Sequence, residues 1–273
     1  MASAQPIVRT ERPQLELSGP KLRLSLEALV SRAEEQGGVE AYVAGLKLKS
    51  ALFQDALAGD LDLATLRTLC AHMATVRRRA GAYLEPEAFE ATRGRIRRLL
   101  EGREDTATAD ARIARFCAEF PQDRDHRWVR DLAAELLHYA DPERYPLMQR
   151  WVWDARTNTG VIREIWHGEN VDHITIGVPD GYATFLVLRE ELAQYLAANG
   201  VYRDVLFYVD VLTAQVYADY ISERGGTYLR TDFATPEDPM LHTRRILGLD
   251  GVDASGRTRL KASDGTAVIV GAG

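Results

Sequence analysis

The spacing of apolar residues along the chain predicts a protein built mainly of α-helices. Over residues 63–76, apolar side chains recur every three or four positions, which is the period of an amphipathic helix. The same period predicts helices over 39–57, 182–198 and 204–224. Glycine follows each of the last three segments within two residues, as it commonly does at the carboxyl end of a helix.

Polar residues and prolines predict where several helices begin and end. Asp62 and Asp125 each precede an apolar run, and each is expected to cap a helix at its amino end. Pro86 and Pro146 are expected at the start of a helix, where a backbone N–H has no helical partner. Because proline cannot continue a helix, the helix before Asp141-Pro142 must end there.

Two places along the chain favour β-structure. The β-branched run from His173 to Gly177 predicts one short strand. Near the end of the chain, residues 257–262 and 266–270 flank Asp264-Gly265, which is a strong signal for a β-hairpin. The predicted fold class is therefore mainly α, a multi-helix globular protein with a small C-terminal β-hairpin and one short additional strand.

The same patterns divide the chain into four regions. Residues 1–20 contain three prolines and little periodicity, so we expect an extended or disordered arm. Residues 21–122 form an N-terminal helical region, and residues 123–226 form a Trp-rich helical region packed on it. Residues 227–273 are expected to be an irregular tail with a short helix and the hairpin.

Composition narrows the class of protein. The 273 residues are 46% hydrophobic and 27% charged, which fits a globular protein and excludes a disordered, a collagen-like or a wholly basic nucleic-acid-binding chain. Cys70 and Cys117 are too few for a disulfide scaffold or a structural zinc site. We find neither a signal peptide in the first 20 residues nor an apolar run near the length of a membrane span. The expected compartment is the cytoplasm.

Charge is distributed unevenly along the chain. The formal net charge is -6, although eight arginines stand against four acidic residues between Arg77 and Arg103. We interpret this basic segment as a solvated face that pairs with the acidic remainder. The alternative is contact with phosphate, nucleic acid or an acidic partner. The candidate contact residues are Arg77, Arg78, Arg79, Arg93, Arg97 and Arg98.

A Glu-x-x-His pattern occurs twice, as Glu135 with His138 and as Glu164 with His167. Residues three apart share one face of a helix, so each pair could offer a carboxylate and an imidazole to one cation. Diiron helical proteins use two such pairs with two further carboxylates. These are not obvious here, although Glu191 and Asp210 lie on the next two predicted helices. We expect that the pairs do not converge and that the protein has no cofactor; a metal site is the alternative.

The four tryptophans Trp128, Trp151, Trp153 and Trp166 all lie within one short part of the chain. If Trp151 and Trp153 lie on the helix predicted from Pro146, they diverge by about 200° and cannot face one core. Core packing explains most of the cluster. The indoles nevertheless mark the best place to expect a pocket or an interface.

The stretch from Leu136 to Pro146 carries a faint resemblance. Its Asp-Pro-Glu-Arg-Tyr-Pro turn after a helix is similar to one in several helical bacterial proteins, some of which resemble the helical domain of base-excision DNA glycosylases. The resemblance implies a helical fold over residues 128–220. It transfers no activity, because the Gly-x-Gly hairpin turn and the catalytic Asp of the glycosylases are missing.

No phosphate-binding loop, dinucleotide motif, nucleophile elbow or paired cysteines are present. The sequence therefore favours an accessory or regulatory protein that acts by binding another protein, including another copy of itself. One alternative is a metal-dependent, diiron-like enzyme. The second is a nucleic-acid-associated helical domain, and no contact with a membrane is expected.

Overall fold

The computed structural model describes residues 12–168, 170–225, 240–253 and 257–269. The α-helices are α1 (Gly19–Ala33), α2 (Val39–Ala58), α3 (Leu63–Ala71), α4 (Pro86–Leu100), α5 (Ala109–Ala118), α6 (Trp128–Ala140), α7 (Val161–Glu164), α8 (Tyr182–Ala198), α9 (Val205–Gly225) and α10 (Leu241–Ile246). Two short strands follow, β1 (Arg257–Lys261) and β2 (Ala267–Ile269). The mainly α class predicted from the sequence is confirmed.

Helices α2, α6 and α9 form the centre of the fold. Helix α2 contacts both α6 and α9, and α9 also packs against α1, α7, α8 and α10. One continuous core extends from Leu22 in α1 to Leu260 in β1, and Leu46, Leu136 and Leu212 of the central helices are fully buried in it. Among the described residues, no helix is both long and apolar enough to span a bilayer.

Local signals placed several helix ends correctly. Asp62 caps α3, because its carboxylate accepts a hydrogen bond of 2.7 Å from the backbone N–H of Thr65. Pro86 lies in the first turn of α4, and α6 ends at Ala140, directly before Asp141-Pro142. The cap predicted at Asp125 was wrong. Asp123 instead accepts hydrogen bonds from two backbone N–H groups and caps a 3₁₀ turn that precedes α6.

Two helix predictions were wrong in extent. Helix α3 ends at Ala71, so residues 72–76 of the predicted helix, and Arg77 to Arg79 after them, lie outside it in turns and irregular structure. The helix predicted from Pro146 does not form, and no residue of 146–160 is helical. Asp131 of α6 accounts for part of this difference, because its carboxylate accepts hydrogen bonds from both the backbone and the side chain of Arg150.

The short strand predicted from His173 to Gly177 was also wrong. Val171–His173 is a 3₁₀ turn, and residues 174–177 pair with no strand within the described ranges. The side chain of Asn158 lies beside this segment. Its amide donates to the carbonyl oxygen of Ile174 at 2.9 Å and accepts from the N–H of Ile176 at 3.0 Å. One side chain thus satisfies the backbone groups that a neighbouring strand would otherwise pair with.

Both ends of the described chain pack against the helical core. Of the predicted arm, residues 1–11 lie outside the described residues. The part next to α1 is not free, because Leu17 pairs in antiparallel fashion with Trp166. At the other end, β1 and β2 pair antiparallel, with Lys261 opposite Ala267, and Asp264-Gly265 lies between the two strands.

Candidate functional site

A cavity of about 460 Å³ lies between α2 and the segment that begins with α10, and we call it the α2–α10 cavity. Its apolar wall consists of Ala41, Gly45, Leu48, Leu52 and Leu249. Its polar groups are Gln36, Tyr42, Lys49, His72 and Arg244. Helix α2 contributes most of these side chains, and residues far away in the sequence close the cavity.

Glycines allow the segment after α10 to pack closely enough to form this wall. Gly248 has a φ of +72°, and a Cβ atom there would lie 1.7 Å from the carbonyl oxygen of His72. A Cβ atom at Gly251 would lie 2.7 Å from the carbonyl oxygen of Ala71. Since no side chain fits at either position, glycine brings the segment against the end of α3.

The backbone of this segment fixes the protonation pattern of His72. The Gly248 carbonyl oxygen lies 3.2 Å from His72 Nδ1. A carbonyl oxygen only accepts hydrogen bonds, so Nδ1 carries the hydrogen and Nε2 of the neutral ring is the acceptor. Burial, and then the nearby charge of Lys49, lowers the pKa of His72. The cavity is therefore lined by a neutral imidazole at neutral pH.

Lys49 forms a fully buried ion pair with Glu135 of α6, with Nζ and Oε1 3.2 Å apart. Its Nζ also donates to the carbonyl oxygen of Leu247 at 2.9 Å and lies 4.0 Å from the ring centroid of Tyr139. These three partners match the three N–H bonds of an ammonium group. Burial lowers the pKa of Lys49 and raises the pKa of Glu135. We assign Lys49 a role in joining α2 to α6.

The other reactive side chains near this pair are held in their protonated forms. Burial raises the pKa of the Cys70 thiol to about 12, and it raises the pKa of Tyr139 well above its usual value. A thiol needs its thiolate form to act as a nucleophile. The surroundings of the cavity therefore favour binding over nucleophilic chemistry.

The remaining polar groups of the cavity are joined through Gln36. Its Oε1 accepts a hydrogen bond of 2.8 Å from Nη1 of Arg244 and one of 3.5 Å from the hydroxyl of Tyr42. Arg244 thus supplies a cation beside the apolar wall of the cavity. Leu48, which also lines the cavity, is 73% exposed, so apolar surface continues from the cavity to solvent.

The two Glu-x-x-His pairs do not come together. Glu135 binds Lys49, whereas His138 Nε2 lies 3.0 Å from Oδ2 of Asp210 and its Nδ1 lies 2.8 Å from the Tyr145 carbonyl oxygen. Glu164 lies on α7, and His167 and Glu191 are exposed. Within the described ranges, no three His, Cys, Asp or Glu side chains are placed to hold a metal ion.

All four tryptophans are buried, which places them in the core and not on an open surface. Trp128, Trp151, Trp153 and Trp166 are each at most 8% exposed. Trp151 and Trp153 were predicted to diverge on a helix, which was wrong, because their segment is not helical. The indole of Trp151 donates to Gln149, and that of Trp153 donates to the Val178 carbonyl oxygen.

Acidic side chains from elsewhere in the chain contact most arginines of the basic segment. Arg77 is buried and binds Asp250 at 2.8 Å, so it is not available to a partner on the surface. The other contacts are those of Arg79 with Asp125, of Arg93 and Arg97 with Asp60, and of Arg98 with Glu119. Arg78 is exposed.

The polar residues of the cavity were not predicted from the sequence. For Lys49 a signal was present, because the residue lies at helical spacing between Leu46 and Phe53, which are both fully buried. A lysine on the apolar face of a helix implies a buried partner. His72 and Arg244 carry no such signal, since only the fold brings them together.

We compared the chain with family models, with curated proteins and with solved structures, and none of them matches. The function is therefore inferred from the chain's own residues.

Proposed function

We propose that this protein binds a small, largely apolar carboxylate in the α2–α10 cavity. The observation that carries the proposal is one cavity that combines an apolar wall with the guanidinium of Arg244 and the neutral imidazole of His72. Its volume of about 460 Å³ is in the range of small-molecule sites.

The polar groups of the cavity define the chemistry of this ligand. The planar guanidinium of Arg244 matches the geometry and charge of a carboxylate. Nε2 of His72 can accept a hydrogen bond from a ligand hydroxyl, because Nδ1 is bound to Gly248. The apolar wall receives the hydrocarbon part, and its burial supplies most of the binding free energy.

Ligand binding of this kind suits an accessory or regulatory role. The protein partner expected from the sequence stays a prediction. We also propose the cytoplasm as the compartment, which the two free cysteines of the chain support.

Titration calorimetry with octanoate and with 1-octanol tests the proposal. The two probes share an alkyl chain and differ in the group that faces Arg244. We expect octanoate to bind about tenfold more tightly than octanol, because a hydrogen bond to a charged group is stronger than one to a neutral group. Absence of octanoate binding, checked by the heat at two temperatures because apolar burial gives little heat near 25 °C, would contradict the proposal.

Two variants locate the binding within the molecule. Ala41→Trp places an indole in the cavity from an exposed position and is expected to abolish binding of octanoate. Ala44→Trp makes the same change at an exposed position of α2 outside the cavity, and it is expected to leave binding unchanged. Arg244→Gln should reduce the affinity for octanoate to that for octanol. Equal loss in Ala41→Trp and Ala44→Trp would place the ligand elsewhere.

A further inference from the structure

Two adjoining cavities lie at the amino end of α6, and they share no lining residue with the α2–α10 cavity. The smaller, which we call the arginine cavity, has a volume of about 180 Å³. The neighbouring cavity, of about 280 Å³, shares Arg127 and Arg150 with it. The arginine cavity is lined by Thr75, Arg79, Arg124, Asp125, Arg127, Trp128 and Arg150.

Buried carboxylates hold two of these arginines in place. Nη2 of Arg127 donates to Asp154 at 2.6 Å, and Nη2 of Arg150 donates to Asp131 at 2.7 Å. The carboxylates are nearly inaccessible, at 7% and 1% exposed, whereas the arginine side chains are 33% and 24% exposed. The two guanidinium groups are therefore fixed from the protein side, which leaves N–H groups for a ligand. Such prior ordering reduces the entropy that binding costs.

Two further groups at the arginine cavity have no partner within the described part of the chain. The hydroxyl of Thr75 is buried and makes no hydrogen bond there. Arg124 is exposed and forms no hydrogen bond or ion pair there through its side chain. Asp125 is the one carboxylate among the lining residues, and it is 88% exposed and 3.6 Å from Arg79. With the buried partners Asp154 and Asp131 included, four arginines stand against three carboxylates, so the cavity keeps one net positive charge and unused donors.

We infer that the arginine cavity binds the phosphate group of a small phosphomonoester and that the neighbouring cavity holds the rest of the molecule. Four guanidinium groups and a hydroxyl surround one small space, which suits a tetrahedral dianion with several oxygens better than a planar carboxylate. The neighbouring cavity combines apolar side chains such as Pro121 and Val129 with the carboxylates of Asp123, Asp154 and Asp180. Carboxylates accept hydrogen bonds from hydroxyl groups, so this lining suits the uncharged, hydroxyl-bearing part of the ligand and not its phosphate.

Titration calorimetry with ribose 5-phosphate, inorganic phosphate and ribose at constant ionic strength tests this inference. We expect the ester to bind more tightly than inorganic phosphate, because it fills both cavities, and we expect ribose alone not to bind. Absence of binding by the ester at about 10 mM would overturn the inference. Equal affinity for the ester and for inorganic phosphate would overturn the assignment of the neighbouring cavity.

Three variants separate a built site from general charge. Arg124→Gln and Thr75→Val are each expected to weaken binding of ribose 5-phosphate, the first by about tenfold. Arg78→Gln removes an exposed arginine of the same region that lines neither cavity, and it should leave the affinity unchanged. A thermal unfolding curve for each variant verifies folding, and the position of Arg124 on the surface makes unfolding of that variant unexpected.

Two outcomes would replace the inference with another. Equal weakening by Arg124→Gln and Arg78→Gln would show that the attraction comes from diffuse charge. Binding of a short DNA duplex without binding of the ester would identify the region as a nucleic-acid contact, with an affinity that falls steeply as salt rises. Octanoate binding by Arg124→Gln is expected to be unchanged, so failure at this site can be distinguished from failure at the α2–α10 cavity.

Discussion

The ion pair of Lys49 and Glu135 is the most deeply buried charge pair among the described residues, with both side chains 1% exposed. Replacing Lys49 by Met removes the cation and leaves a buried carboxylate whose Oε2 already has no hydrogen bond. We expect Lys49→Met to lower the free energy of unfolding by about 3 to 5 kcal/mol, measured by urea denaturation.

A control on the same helix shows what burial contributes to that effect. Lys47→Met breaks an ion pair with Asp204 in which the side chains are 51% and 39% exposed. The expected loss is below about 1 kcal/mol, because exposed pairs contribute little. A double variant, Lys49→Met with Glu135→Leu, should regain much of the lost stability. Similar losses in Lys49→Met and Lys47→Met would contradict our account of the buried pair.

The lowered pKa of His72 makes the free energy of unfolding depend on pH. Its pKa in the folded protein is lowered from 6.5, so the unfolded chain takes up a proton near pH 6.5 while the folded protein does not. The contribution of neutral His72 to the free energy of unfolding is therefore fully present above pH 6.5. It is lost as the pH falls below 6.5, by up to about 1.4 kcal/mol per pH unit. Urea unfolding between pH 7 and pH 5 should show a smaller fall for His72→Gln than for the natural chain. An identical fall in both would show that another group is responsible.

At the scale of the elements, Asp62 offers a test of a helix that sequence alone predicts. Its carboxylate accepts from the Thr65 N–H, so Asp62→Ala removes the cap of α3. We expect the folding equilibrium constant to fall by about fivefold, whereas Asp62→Asn, which keeps an accepting oxygen, should change it little. Equal effects of the two substitutions on the urea midpoint would show that charge, and not the cap, matters.

Elements whose signals are local were predictable, and elements held by distant partners were not. Helix α4 begins at Pro86 as predicted, because proline and the apolar period act within a few residues. The turns that contain Arg150 depend on Asp131, a residue of another element. The segment near Ile174 was expected to be a strand, but the side chain of Asn158 satisfies its backbone. Neither partner is visible in a local pattern.

The candidate site also depends on partners that a local sequence pattern does not show. Lys49 could have been found, because a lysine interrupts the apolar face of α2. The cavity that Lys49 lines could not have been predicted, because more than 170 residues separate His72 from Gly248, whose carbonyl oxygen orients its ring. The four arginines of the arginine cavity come from three separate parts of the chain, because only Arg124 and Arg127 are neighbours in the sequence. Convergence of this kind is a property of the tertiary structure.

At the scale of the whole molecule, Asp250 joins the C-terminal segment to the helical core. It binds the buried guanidinium of Arg77 at 2.8 Å and lies 3.2 Å from the guanidinium of Arg259 in β1. Next to this contact, the backbone N–H of Lys261 donates to the Arg77 carbonyl oxygen at 2.9 Å. Arg244 and Leu249, which line the α2–α10 cavity opposite α2, belong to the same segment, so the cavity depends on this attachment.

Asp250→Asn tests whether this single carboxylate holds the segment in place. The substitution removes the negative charge opposite Arg77, whose side chain is 2% exposed, and a buried cation without its counter-ion is strongly unfavourable. We expect the amide of Lys261 to exchange its hydrogen at least about tenfold faster, because opening of the segment breaks its bond to Arg77. Octanoate binding should weaken in parallel.

Asp60→Asn is the control. It makes the same chemical change at a carboxylate that is 79% exposed and pairs with Arg93 and Arg97, so it should alter neither the exchange rate at Lys261 nor octanoate binding. If exchange at Lys261 is equally slow in both variants, then apolar packing and not Asp250 attaches the segment.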